Sequence, residues 1–176
     1  MTWRALEAFD QRVDAWIEGG RGRPGLDASA RVASFLGDHG LVWFFIGVAL
    51  ARRPGPRRRS ALRAVIFTGL VVPLVNTKVK RAVDRSRPEA AVSVPGLRAP
   101  TSASFPSGHT TAAWCAATLL AEDDTLGAFY YAVAVTVSAS RLQVRHHHAS
   151  DVAAGMILGR TLGLAGRRLV PLGRRR

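Results

Sequence analysis

Apolar residues in this chain come in runs of helical length, separated by tight polar clusters. Trp3, Leu6, Phe9, Val13 and Trp16 or Ile17 recur every three or four positions, with charges on the other face. That spacing predicts an amphipathic N-terminal helix, lying on a membrane surface or capping a bundle rather than spanning. Gly19 to Gly25, with Pro24 inside it, ends the helix in a loop. A second helix starts at Asp27, and its later part, Leu41 to Ala51, is strongly apolar; Asp38, His39 and Gly40 interrupt it, so a span there is short or tilted. Further runs cover Ala64 to Val79, Thr110 to Ala121, Leu126 to Ala139 and Asp151 to Val170. Pro73 is expected to kink the first of these, and Arg160 weakens the last. Each run is near or below the ~20 residues of a membrane span, and borderline once its flanks are included. The pattern predicts an all-α fold: a membrane bundle of about five transmembrane helices plus an N-terminal amphipathic helix. Residues 1–26 would be the helix and loop, and residues 27–176 one membrane domain. Gly155, Gly159 and Gly163 repeat every four residues, which predicts close helix packing, either within the chain or in a homo-oligomer.

Composition narrows the class. The chain is 48% hydrophobic, yet its formal net charge is +13. A nucleic-acid binder spreads such charge along a groove-facing surface. Here it lies in clumps that punctuate apolar runs, as in a small helical membrane protein with basic loops. The mean hydropathy of +0.09 is modest, so the segments decide. Arg52, Arg53, Arg57, Arg58, Arg59 and Arg63 form a stretch without acids or interleaved aromatics, which reads as a cytoplasmic loop rather than a nucleic-acid patch. The bilayer is thus the expected partner, and no nucleic acid is. Cys115 is the sole cysteine, so no internal disulfide forms. Glu7, Asp10, Asp14 and Glu18 interrupt the N-terminus too often for a cleavable signal peptide. Abundant Arg, Ala, Gly and Val suggest a GC-rich bacterial genome.

Alternating loops place Arg52–Arg63, Glu122–Asp124 and the tail Arg167–Arg176 on one face, and three polar clusters on the other. Once the arginines of those clusters are set aside, the positive-inside rule favours a cytoplasmic tail. The clusters then face outward from a bacterial inner membrane.

Lys80 to Pro88 is the first cluster. A basic residue where a helix leaves the membrane is ordinarily an interfacial anchor; Lys80 and Arg87 differ because Pro88 fixes the exit of the chain. Lysine gives phosphate a point charge and arginine a planar, bidentate fork. In the second, Phe105-Pro106-Ser107-Gly108-His109, a helix start offers exposed N–H groups and the positive end of the helix dipole. Gly108 would let a ligand approach, Ser107 donate, and His109 protonate a leaving oxygen; a plain N-cap is the alternative. The third runs from Ser140 to Asp151 and holds Arg141 and His146-His147-His148. Consecutive histidines point in different directions, so a metal site is not expected. His147 and Asp151 stand four apart, which places both on one helical face, where a carboxylate fixes the imidazole tautomer and frees the other nitrogen as a nucleophile. Asp151 can equally cap the helix.

Lys80 with six residues before Arg87-Pro88, then Pro106-Ser107-Gly108-His109, then Ser140-Arg141 with five before His147 and three before Asp151, resembles the full three-part signature of the type 2 phosphatidic acid phosphatase (PAP2) superfamily. Order and internal spacing both agree. The resemblance covers Asp27 to about Val170, and the amphipathic helix stands where six-span members have a first span. It implies a metal-independent, cofactor-free phosphomonoester or diphosphate hydrolase. His147 would attack phosphorus, Asp151 orient it, and His109 protonate the leaving group and activate water. Lys80, Arg87, Ser107, Gly108 and Arg141 would hold the phosphoryl oxygens. The substrate would be a lipid phosphate or polyprenyl (di)phosphate: undecaprenyl diphosphate, phosphatidylglycerol phosphate, phosphatidic acid or a polyprenyl-phosphoryl phosphosugar. The alternative is a catalytically silent membrane protein that binds anionic lipid through the same arginines.

Overall fold

A computed structural model of the chain describes residues 3–37, 40–52, 55–88, 102–122 and 124–172. Asp38, His39, Arg53, Asp123, residues 89–101 and Arg174 to Arg176 lie outside these. The elements described are helices: α1 (Trp3–Glu18), α2 (Pro24–Gly37), α3 (Leu41–Ala51), α4 (Pro56–Ile66), α5 (Val72–Val83), α6 (Gly108–Leu120), α7 (Gly127–Gln143) and α8 (Ala149–Leu169).

α1 half-buries Leu6, Phe9, Val13 and Ile17 against α7 and α8, as its spacing predicts. Asp10 lies on the same stripe and is buried as well. α2 starts three residues earlier than expected, at Pro24, a residue whose missing N–H costs nothing in a first turn. Gly40, in the left-handed region at φ 69°, stands at the start of α3, which bends 62° from α2.

α4, a π-helical turn over Phe67–Val71 and α5 follow without a break. Residues Arg57–Val83 are the run that, among the described residues, is by itself long and apolar enough to cross a membrane. One expectation is corrected here. Arg57 to Arg63 are helical rather than a solvated loop, because Pro56 starts a helix ahead of them. Arg63 is buried and donates to the Leu119 carbonyl at 3.0 Å, the Val170 carbonyl at 2.9 Å and Glu122. A widened, π-helical turn stands just before Pro73, where the sequence predicts a kink.

α6 is the central helix, with Ala113, Cys115, Ala116, Ala117 and Leu119 fully enclosed. Its most extensive neighbour is α8. The glycines of α8 explain that approach: a Cβ at Gly155 would lie 2.8 Å from the Ser107 carbonyl oxygen, one at Gly159 2.3 Å from that of Thr111, and one at Gly163 2.6 Å from the Thr118 Cβ. The stripe is therefore consumed inside the chain. The homo-oligomer reading of Gly155, Gly159 and Gly163 is corrected, since all three are buried against α6.

The two ends of the bundle are chemically distinct, as the alternation of loops predicts. At one end Arg57 meets Asp124 at 3.4 Å, Arg63 meets Glu122, and Arg59 donates to the Leu172 carbonyl at 3.0 Å. The other end gathers the C-termini of α5 and α7 and the N-termini of α6 and α8.

Candidate active site

Each functional side chain sits where a helix ends or begins, which is why the sequence clusters converge. Lys80 lies on the last turn of α5, and Arg85 and Arg87 on the extended segment that leaves it. Asp84, at φ 42°, turns the chain out of the helix. His146 and His147 occupy the short turn between α7 and α8, after Arg145 at φ 53°.

His147 thus precedes α8 instead of sharing a helical face with Asp151. The pair still meets, because Asp151 is the third residue of α8 and its Oδ2 accepts the His148 backbone N–H at 2.9 Å. That bond folds the turn back and leaves His147 Nδ1 3.7 Å from Asp151 Oδ2, an ion-pair separation longer than a hydrogen bond. On the ring's other side, Arg87 Nη1 lies 3.2 Å from Nε2. Arg87 is anchored by donating to the His146 carbonyl at 2.6 Å and, through Nε, to the Ser102 carbonyl at 2.8 Å. Burial holds the His147 pKa far below its ordinary value, at about 3; Asp151 opposes the drop, and the positive Arg87 and Arg141 deepen it. His147 is consequently a neutral imidazole at neutral pH.

Arg141 is also buried, donating to Ser34 of α2 and, from Nη2, meeting His146 Nδ1 at 2.7 Å. Lys80 donates to the Ala103 carbonyl. The three consecutive histidines diverge: His146 toward Arg141, and His147 between Arg87 and Asp151. Among the described residues, no group of three or more His, Cys, Asp or Glu has metal-holding geometry.

Lys80, Arg87, Gly108, His109, Arg141 and His147 line one cavity of about 1150 Å³. Its remaining wall is mostly apolar and descends past Trp43, Phe44, Val65, Val72 and Pro73 to Ala61 and Leu120. The polar end of this cavity brings together three cations, the amide end of α6 and a neutral imidazole. Two predicted site residues do not reach this wall: Asp151, which lies behind His147, and Ser107. Ser107 is fully buried, and its Oγ accepts from the Thr110 hydroxyl at 3.0 Å as the N-cap of α6.

The sequence reading missed Arg85 and Asp10. Arg85 Nη1 donates to Asp151 Oδ1 at 2.8 Å and to the Ser150 hydroxyl at 2.6 Å, while Nη2 donates to Asp10 Oδ2 at 2.7 Å. Burial works against the Arg85 charge, but the two carboxylates outweigh it and raise its pKa. A signal was available: Leu6, Asp10, Val13 and Ile17 follow the four-three-four spacing of one helix face, so Asp10 is an acid on the apolar stripe.

Residues 60–175 match the sequence model of the PAP2 superfamily. The chain belongs to that superfamily. It is a phosphatase, as its curated relatives are. Decaprenylphosphoryl-5-phosphoribose phosphatase of Mycobacterium tuberculosis is 32% identical over 141 residues, which is 80% of this chain and 78% of that one. The Mycolicibacterium smegmatis protein of the same name is 36% identical over 135 residues, 76% of this chain and 73% of that one. Two solved structures share the fold of this PAP2 phosphatase. The first transmembrane PAP2-type phosphatidylglycerolphosphate phosphatase from Bacillus subtilis superposes with a TM-score of 0.77 at 22% identity, over 97% of this chain and 89% of that one. Aquifex aeolicus LpxE gives a TM-score of 0.74 at 23% identity, over 90% and 94%.

Proposed function

We propose that this PAP2 phosphatase is an integral membrane enzyme that removes a terminal phosphate from a lipid-linked substrate through a phosphohistidine on His147. The observation that carries the reading is the shape of the large cavity: a cationic end holding a neutral imidazole, continuous with an apolar wall. Lys80, Arg87, Arg141 and the amide of Gly108 would bind the phosphoryl oxygens, with Ser107 fixing the start of α6. The lone pair of His147 Nε2 attacks phosphorus as the bond to the leaving oxygen breaks, and His109 gives that oxygen a proton. Asp151 balances the charge gained by the ring. His109 then takes a proton from the water that attacks the phosphohistidine, which releases phosphate and restores His147. The bound cations supply the charge stabilisation that a metal supplies elsewhere.

In this reading the α2–α3 pair, the α4–α5 run, α6, α7 and α8 are five spans of the catalytic domain, residues 27–176. Exposed Phe44, Phe45, Leu70, Leu74 and Ile157 would face lipid. The amphipathic α1, within residues 1–26, would lie at the membrane surface on the site side. The arginines of α4 would face the cytoplasm and the site the outside of a bacterial inner membrane.

For the substrate, the mycobacterial relatives favour a phosphomonoester on a polyprenyl-phosphoryl sugar. The apolar, aromatic-bearing wall suits an isoprenoid chain. Undecaprenyl diphosphate, phosphatidylglycerol phosphate and phosphatidic acid present the same terminal group and form the comparison set. The test is phosphate release in detergent from that panel by wild type, His109→Ala and His147→Ala. Release by wild type alone is expected. A well-folded wild type that releases phosphate from none of these lipids would move the reading to a silent binder of anionic lipid.

A further inference from the structure

The buried acid of α1 reaches the catalytic turn. Asp10 Oδ2 accepts from Arg85 Nη2 at 2.7 Å and from the Ser150 hydroxyl at 2.8 Å, and Oδ1 accepts the Ser150 backbone N–H at 2.7 Å. The same guanidinium donates through Nη1 to Asp151 Oδ1 at 2.8 Å. Asp10 and Asp151 are 7% and 0% exposed, so water does little to screen the three charges.

We propose that Asp10 is a positioning residue for phosphoryl transfer: through Arg85 it holds Asp151 and leaves that carboxylate enough negative charge to stabilise His147 as the ring becomes cationic. The inference rests on His147 being the nucleophile. An arginine paired with Asp151 alone would cancel its charge. Two carboxylates sharing one guanidinium leave one negative charge in excess, which matches the positive charge His147 acquires when Nε2 bonds to phosphorus and Nδ1 keeps its proton. Asp10 also satisfies an N–H at the start of α8, where a carboxylate complements the helix dipole. The N-terminal helix therefore sets the electrostatics of a site whose large cavity it does not line.

A merely structural Asp10 would only dock α1, and a double-mutant cycle separates the two roles. The full chain is assayed in detergent with whichever panel lipid wild type turns over fastest, and each variant's fold is checked by thermal unfolding. Asp10→Asn is expected to lower kcat about tenfold with KM nearly unchanged, and Asp10→Glu to restore most of it. In an Asp151→Asn background, Asp10→Asn should have no further effect, because the group it acts through is gone. A folded Asp10→Asn with wild-type kcat, or a tenfold loss that persists without Asp151, overturns the proposal. If Asp10→Asn does not fold, Ser150→Ala takes its place, since it removes one of the two links between Asp10 and Arg85, the hydroxyl that accepts from Nη1 and donates to Oδ2. It should lower kcat about threefold, again only when Asp151 is present; an unchanged kcat contradicts the proposal. Absence of any turnover by wild type would be a different failure, that of the phosphatase chemistry itself.

Discussion

Arg87 Nη1 lies 3.2 Å from Nε2 of His147. A guanidinium has only N–H donors, so Nε2 must offer its lone pair, and the proton of the neutral ring belongs on Nδ1 facing Asp151. The contact thus selects the tautomer that the proposed attack by His147 needs; in that reading it covers the lone pair until a phosphoryl oxygen takes Arg87's N–H. Arg87→Ala should lower kcat/KM by about 10²–10³. Arg87→Lys should recover little of it, because a point charge cannot replace a fork that holds the Ser102 and His146 carbonyls as well as substrate. Steady-state kinetics on the panel lipids checks both.

His147 also makes the fold acid-sensitive. In the unfolded chain it titrates near 6.5, whereas in the fold burial keeps it neutral down to about 3. Between those values the unfolded state binds more protons, so its contribution to stability is present above 6.5 and lost as pH falls toward 3. Wild type should therefore lose melting temperature more steeply between pH 7 and about 4.5 than His147→Gln, which cannot titrate. Parallel slopes in detergent would count against a buried, neutral His147.

The α6–α8 crossing depends on glycine. A Cβ at Gly159 would stand 2.3 Å from a backbone oxygen, an atom that cannot swing aside. Gly159→Ala should destabilise by about 2 kcal/mol. Gly25→Ala, with nothing within 4 Å of its new Cβ, should be neutral or mildly stabilising. Thermal unfolding of the two variants compares them directly.

The opposite end of the bundle should affect stability and leave the chemistry alone. Arg63 joins α4 to the C-termini of α6 and α8 by way of Leu119, Glu122 and Val170. Arg63→Ala removes three hydrogen bonds and leaves Glu122 only Arg167, 3.7 Å away, and should cost about 3 kcal/mol in stability. Below its melting temperature, kcat per folded molecule should match wild type.

Much of this was legible beforehand because the helices of this bundle carry their polar residues at their ends. The interruptions of the apolar pattern therefore marked both the helix boundaries and the site. Lys80, Arg87, His109, Arg141, His147 and Asp151 each flank a run, and the resemblance to the PAP2 signature singled them out. Asp10 and Arg85 were harder, because their pairing spans 75 positions in sequence and no local periodicity encodes a contact that long. Arg63 was misread for the opposite reason: six arginines without an acid look solvated, and Glu122, the partner that buries one of them, arrives 59 residues later.

The most direct test of the account is a rapid-quench experiment with a substrate labelled in its terminal phosphate, run in EDTA. The account predicts an acid-labile, base-stable phosphoenzyme that maps to His147, forms faster than steady-state turnover and is absent in His147→Ala. Steady turnover with no phosphoenzyme at any time, or turnover abolished by EDTA, would contradict it.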